Sequence, residues 1–379
     1  MAETSIIHWF RRDLRLADNA GLTAAAAAGR VLPVFILSPK ARGDSAHGGA
    51  SRWWLHHSLD ALASDLLAIG SRLTLCIGTA ADVLGDVARG TYATAVHCER
   101  LYEPAALAED SAVRSELARA GVELKIFDGP LLTPPERVRS GEGRPFRVFT
   151  PFWRAAAHFV REATRATAPT HLELPLTLPI STPLPALDLL PRVDWARGFG
   201  ESWQPGERGA LAALSRFAGD GLQSYARRRD IPGLRGTSRF SPHLHFGEIS
   251  VGRAWHALST LRGASADVNA ETDSYLRQLG WREFAYYILY HFPQTTDAEL
   301  DSAMDGFPWS ADDALVEQWR RGLVSREGPA LRLARGRGVV LGHPRRCRPG
   351  QQHARLAVGC RLWRRCCAVL PCLQSGASG

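Results

Sequence analysis

Four short apolar runs constrain this chain more than any other feature: 5–10, 31–36, 73–77 and 93–98. Each is too short for a buried helix and reads as a buried strand. The stretches between them predict helices over 20–28, 52–67 and 80–88, the first capped by Asp18-Asn19. Strands alternating with helices predict a doubly wound parallel sheet, because parallel neighbours need a crossover long enough to hold a helix. In such sheets ligands sit beyond the carboxyl ends of the strands. Here those ends carry 99–104, and the charged loop Arg11-Arg12-Asp13-Leu14-Arg15 follows the first run. A solvated, salt-bridged loop is the plain alternative for that segment. No Gly-x-Gly-x-x-Gly follows the first run, which argues against a dehydrogenase-type dinucleotide turn.

With 379 residues the chain has room for more than one domain. From 129 to 190 it is rich in proline and threonine and reads as an extended connector. Within it, 144–153 is dense in aromatics, as in a linker pinned to a domain face. From Trp203 onward the apolar period changes. Leu211, Leu214, Phe217, Leu222 and Tyr225 recur near helical spacing, and 251–258 and 275–291 read as further helices. The last of these carries polar and aromatic residues on several faces, as a helix lining a cavity does. Between them runs Gly236 to Glu248. There Thr237, Ser238 and Ser241 flank Arg239 and Phe240. Converging hydroxyls, backbone N–H groups and a guanidinium suit a diphosphate. The competing reading of such a triplet is a helix cap.

Charge is unevenly distributed. From Arg321 to Gly379 there are twelve arginines and a single acid, Glu327. That segment carries +11 against a chain total of +8, which leaves residues 1–320 at −3. A nucleic-acid surface on the body must therefore be a local patch. Five of the seven cysteines fall in the final segment without histidine partners, so no metal site is expected. The chain opens without a secretory pattern and holds no apolar run of membrane-spanning length, which predicts a cytoplasmic protein.

Several motifs together carry a resemblance. Trp9-Phe10-Arg11-Arg12-Asp13-Leu14-Arg15 with Asp18-Asn19 resembles the opening of the photolyase/cryptochrome family. Leu101-Tyr102-Glu103-Pro104 is similar to that family's antenna loop. Tyr225 with the arginines after it, Thr237 to Gly247, and Gln278 to Phe284 follow in the family's order, and the resemblance is nearest to bacterial class I photolyases of cyclobutane pyrimidine dimers. It implies an α/β antenna-binding domain over 1–130, a linker over 131–200, and the upper half of an all-α FAD-binding domain over 201–322. By resemblance Tyr225, Thr237, Ser238, Arg239, Phe240 and Ser241 hold FAD. Arg229, Gln278, Leu279, Gly280, Trp281, Arg282, Glu283, Phe284 and Ala285 face UV-damaged DNA. Trp281 stacks on the lesion, a role suited to an aromatic floor beneath an extruded base. Gln278 stands where the family places a carboxylate against the dimer, and Trp309 resembles an outer member of its electron-hopping chain. An antenna chromophore is implied as well, of folate type ahead of deazaflavin; Glu103 suits the amino groups of a pterin, and one carboxylate does not decide between the two. The resemblance also implies a monomer. Packing into a core is the alternative for Trp281 and Phe284. A cryptochrome-like photoreceptor, or a non-catalytic nucleotide-binding α/β domain, are the alternatives for the whole.

After about Gly322 the family pattern stops, so the helical domain reads as truncated. The tryptophan-methionine-histidine-asparagine and Asn-Asn/Trp-x-Trp segments that contact the flavin ring are absent. Codons can be chosen for 342–358 that, read one base later, spell the missing Asn-Asn/Trp-x-Trp segment. The scarcity of lysine, found only at Lys40 and Lys125, fits the GC-rich gene this requires. A frameshift near Gly322 is therefore expected, with 323–379 an aberrant and poorly ordered tail.

Overall fold

The computed structural model describes residues 4–38, 48–160, 167–231, 233–301 and residue 314. The expectations for Trp309 and for 317–379 lie outside the described residues.

Five strands, β1 (Ser5–Phe10), β2 (Arg30–Leu37), β3 (Thr74–Ile77), β4 (Ala93–Glu99) and β5 (Glu123–Phe127), form one sheet in the order β3-β2-β1-β4-β5. Every pairing is parallel, and Ile7 of β1 registers with Leu32 on one side and Val96 on the other. All six residues of β1 are buried, as a central strand covered on both faces requires. Ile6 and Phe10 pack with Leu22, Trp54 and Leu59 on one face, while Ile7 and Trp9 pack with Leu84, Val113 and Leu117 on the other. The crossovers are helices α1 (Ala20–Ala28), α2 (Gly49–Ala68), α3 (Ala80–Thr91) and α4 (Pro104–Arg119). Asn19 caps α1 by accepting from the Leu22 N–H at 3.0 Å. The last crossover and β5 escape a search for apolar runs. β5 alternates exposed and covered residues, because it is the sheet edge.

Among its described residues the connector is extended, as its composition suggests, apart from one α-helix and short turns. It runs along the sheet: Glu173 O accepts from Val31 N at 2.7 Å, and Thr182 N donates to Leu75 O at 2.8 Å. Leu75 N donates in turn to Ser181 Oγ at 3.0 Å, so the connector covers the β3 edge. The helix α5 (Phe149–Ala156) turns its aromatic residues inward. Then come α6 (Phe199–Ser202), α7 (Glu207–Arg216), α8 (Tyr225–Arg228), α9 (Ser241–Phe246), α10 (Val251–Ser259) and α11 (Ala266–His291). α11 starts well before the expected 275. Its first turns are polar and lack an apolar stripe, but Ser265 caps them by accepting from Val268 N at 3.2 Å. Phe217, Tyr225, Phe240, Leu244, Tyr275 and Leu279 form the core of this helical layer.

The two layers meet at the charged loop after β1, which is buried and not solvated. Leu14 N donates to Phe246 O at 3.1 Å, Arg15 Nη1 to Gly247 O at 3.0 Å, and Leu16 N to Glu207 at 2.8 Å. Gly247 has φ +67°, and a Cβ there would lie 1.8 Å from the Arg12 carbonyl oxygen. Beside it Glu248, fully buried, accepts from Trp54 Nε1 at 3.0 Å, Gly206 N at 2.7 Å, Ser58 Oγ and His243 Nδ1.

Candidate functional site

The strand order reverses between β1 and β4, where an open α/β sheet offers its ligand crevice. In this chain that crevice is filled from within. The Gly247 turn enters it, Arg15 pairs with Glu99 at 2.9 Å, and Arg11 pairs with Asp110 at 2.7 Å. Burial pushes the Glu99 carboxyl up to about 7, against the opposing pull of Arg15. The expectation of a ligand directly over these strand ends is thus corrected, because a buried ion pair and a backbone turn occupy the space. Glu103 stands at the rim as the residue before α4, engaged by Arg12. Although burial opposes ionisation, Arg12 and local N–H donors hold its carboxyl below the usual range.

The turn before α9 brings the suggested diphosphate residues to one place. Arg239 adopts φ +58°, so the chain reverses sharply between Ser238 and Phe240. Thr237 and Ser241 are exposed and Ser238 is half-buried. The Arg239 guanidinium lies over the Trp203 ring, 3.7 Å from its centroid. Hydroxyls and one cation make up this donor set, with no carboxylate among residues 236–247, and that chemistry fits a diphosphate. Phe240 and Tyr225 belong elsewhere. Phe240 is 1 % exposed and packs against Phe217 with centroids 6.0 Å apart, so its side chain is core and only its backbone borders the turn. Tyr225 is also in that core, with Arg229 over its ring at 5.7 Å. Tyr275, which sequence reading did not single out, reaches the turn: its hydroxyl donates to Ser238 Oγ at 2.9 Å.

Further along α11 the run 278–285 is divided by helix geometry, since eight consecutive residues cover every side of a helix. Trp281 points outward, 37 % exposed, and its inner face stacks on Phe149 at 3.8 Å with the planes 10° apart. Arg277 lies 5.2 Å over the same Phe149 ring. Gln278 is half-buried on this side. Leu279, Gly280, Glu283 and Phe284 are buried. Their expected contact with DNA is corrected, because Leu279 packs into the helical core, Gly280 backs onto Trp153, and Phe284 meets Phe152 at 5.0 Å. Glu283 instead anchors a loop, accepting from Leu132 N at 2.7 Å and Thr133 N at 3.2 Å. Burial raises its carboxyl to about 7. Arg282 is turned inward too, donating to Pro130 O at 2.7 Å and Glu283 at 3.2 Å. Ala285 is half-buried. Arg277 and Tyr275 were missed because each reads locally as an ordinary helix residue, and Phe149 was read only as one of the aromatics pinning the linker; packing alone brings the three to the site.

A doubly wound sheet bearing a helical layer, with a hydroxyl-and-arginine turn and a stacked tryptophan on one long helix, defines an α/β protein with an all-α cofactor region. The model of the DNA photolyase family matches residues 6–171, and that of the FAD binding domain of DNA photolyase matches residues 275–324. A deoxyribodipyrimidine photo-lyase of Agrobacterium fabrum is 40% identical over 323 residues, covering 84% of this chain and 66% of its own. Cryptochrome-2 of Arabidopsis thaliana is 34% identical over 340 residues, covering 83% of this chain and 53% of its own. The crystal structure of a bacterial class III photolyase from Agrobacterium tumefaciens superposes with a TM-score of 0.79 at 39% identity, covering 85% of this chain and 66% of that one. The chain belongs to the DNA photolyase family. It spans between about half and two thirds of the length of these curated relatives.

Proposed function

We propose that this chain derives from a deoxyribodipyrimidine photo-lyase that repairs cyclobutane pyrimidine dimers in UV-damaged DNA with light and FAD, and that it performs this reaction poorly or not at all. The observation that carries the first half is α11. One helix sends Tyr275 to the Ser238 turn and holds Trp281 half-exposed on Phe149. A cofactor seated at the turn and a base stacked on Trp281 would thus be referred to the same rigid element. FAD, when bound, supplies the light-driven electron transfer, and the protein binds, orients and excludes water. Thr237, Ser238, Arg239 and Ser241 would hold its diphosphate. Trp281, with its inner face fixed by Phe149, offers its outer face to an extruded base, and Arg277, over the same Phe149 ring, would serve a flanking phosphate, as would Arg229. Gln278 can hydrogen-bond a base but cannot carry the charge of the family's carboxylate.

The second half rests on the sequence. The ring-contacting segments are missing after about Gly322, and the match to the FAD-binding model ends at residue 324. Losing that wall removes hydrogen bonds and water exclusion on one side of a flavin. The protein would act as a monomer in the cytoplasm. Among the described residues no helix is long and apolar enough to cross a membrane. A folate-type antenna at the rim would share Glu103 with Arg12. The test is to purify the full chain, record its flavin absorbance, and illuminate it with dimer-containing DNA. Substoichiometric flavin and no light-dependent repair are expected; a full flavin complement with repair would refute the impairment.

Likeness to plant cryptochromes supports a second reading, a blue-light receptor without repair. Tight flavin binding without preference for damaged over intact DNA would favour it. A free-standing nucleotide-binding α/β domain is disfavoured, since the crevice it would use is filled by Arg15, Glu99 and the Gly247 turn.

A further inference from the structure

Gly280 lies well inside α11, where a glycine weakens the helix. The space left by its missing Cβ is taken by Trp153 of α5. A Cβ built on Gly280 would stand 2.9 Å from two atoms of that indole and 3.0 Å from a third, closer than side chains pack. Trp153 is itself held by other rings. It lies parallel to Phe149, with centroids 6.2 Å apart and planes at 9°, and meets Trp255 of α10 at 5.7 Å. Phe149 and Trp153 stand four residues apart and so share one face of α5. Phe149 in turn stacks on Trp281 at 3.8 Å. Trp153, Phe149 and Trp281 are thus nearly parallel rings in contact, and the first rests on the backbone of the residue next to the last.

We propose that Gly280 is a positioning residue for lesion recognition: by letting Trp153 lie against the α11 backbone, it sets how closely α5 approaches and so where Phe149 holds Trp281. This rests on the reading of Trp281 as the ring that stacks on the lesion. A side chain at 280 would push Trp153 outward, carry Phe149 with it and leave Trp281 without a flush floor. The surface that tells a dimer from an intact base would then be misplaced. Phosphate contacts from elsewhere, such as Arg229 after α8, would stay, and these serve damaged and intact DNA alike.

The test compares the full chain as wild type, Gly280→Ala, Trp153→Phe and the double variant. Two quantities are read. One is Trp281 emission, taken as the difference from the same protein carrying Trp281→Phe. The other is affinity for an oligonucleotide with one cyclobutane pyrimidine dimer against the same oligonucleotide undamaged. Alanine favours a helix more than glycine does, so α11 itself is not weakened by the change. Gly280→Ala should red-shift Trp281 emission and lower the preference for damaged DNA about fivefold, the worth of one aromatic stack, with affinity for undamaged DNA unchanged. Phenylalanine at 153 is smaller than the indole and makes room for the new methyl group. The double variant should therefore return both readings toward wild type. Unaltered Trp281 emission in Gly280→Ala, with wild-type preference intact, would overturn the positioning role and leave the lesion reading standing. Equal losses on damaged and undamaged DNA, without rescue in the double variant, would make Gly280 a packing residue and also overturn it. A wild type without preference for damaged DNA would overturn the lesion reading and this role with it.

Discussion

At the scale of single residues, backbone geometry and buried polar atoms carry most of the constraint. Gly247 illustrates the first. Its left-handed φ ends α9, and its missing Cβ lets the Arg12 carbonyl approach. Gly247→Ala should lower unfolding free energy by about 2–4 kcal/mol in urea titrations, through strain and through separation of the two layers. A loss under ~1 kcal/mol would mean that the junction yields easily. Glu283 illustrates the second. Its folded carboxyl sits at about 7, above the ordinary 4.5. The folded state therefore holds a proton that the unfolded chain has released, and this contribution favours folding below about 4.5 and is lost as pH rises through 7. The stability difference between wild type and Glu283→Gln should thus change across pH 4.5–7 by on the order of 3 kcal/mol, with wild type losing ground as pH rises. A difference that does not vary with pH would show that Glu283 is ionised throughout.

At the scale of elements, α5 and α11 form the working pair. α5 is a short helix in a connector and would be marginal by itself. Phe149 and Phe152 hold it against α11 through Phe284 and Tyr287. The side chain of Phe149 also floors Trp281. Phe149→Ala should cost about 3–5 kcal/mol by cavity formation. It should also red-shift Trp281 emission, because a ring stacked on one face becomes open on both. Comparison with Trp281→Phe would isolate that signal among the other tryptophans, and unaltered emission would mean that α5 is not the floor. Asymmetry along α11 was only partly legible. The Gln278–Ala285 run announced an aromatic and polar helix, but not that Leu279, Gly280, Glu283 and Phe284 turn inward. Which side of a helix without a clean apolar stripe faces the core is decided by its neighbours.

At the scale of the whole molecule, the sheet and the helical layer are joined by polar contacts that neither makes alone. Glu248 gathers Trp54 and Ser58 from α2, Gly206 before α7 and His243 from α9. Glu248→Ala would leave these buried donors unpaired, at a cost of about 3–5 kcal/mol. It should also split a single unfolding transition into two, seen as non-coincident near-UV and far-UV circular dichroism curves. Coincident curves would indicate that apolar contacts alone bind the layers. The first four strands, the helices between them and the cap at Asn19 were readable from the sequence by itself, because each depends on neighbours a few residues away. The filled crevice, the inward Arg282 and the Tyr275–Ser238 contact were decided only by tertiary structure. Each joins residues distant in the chain, and no local pattern records which buried donor will meet which acceptor once the two layers close.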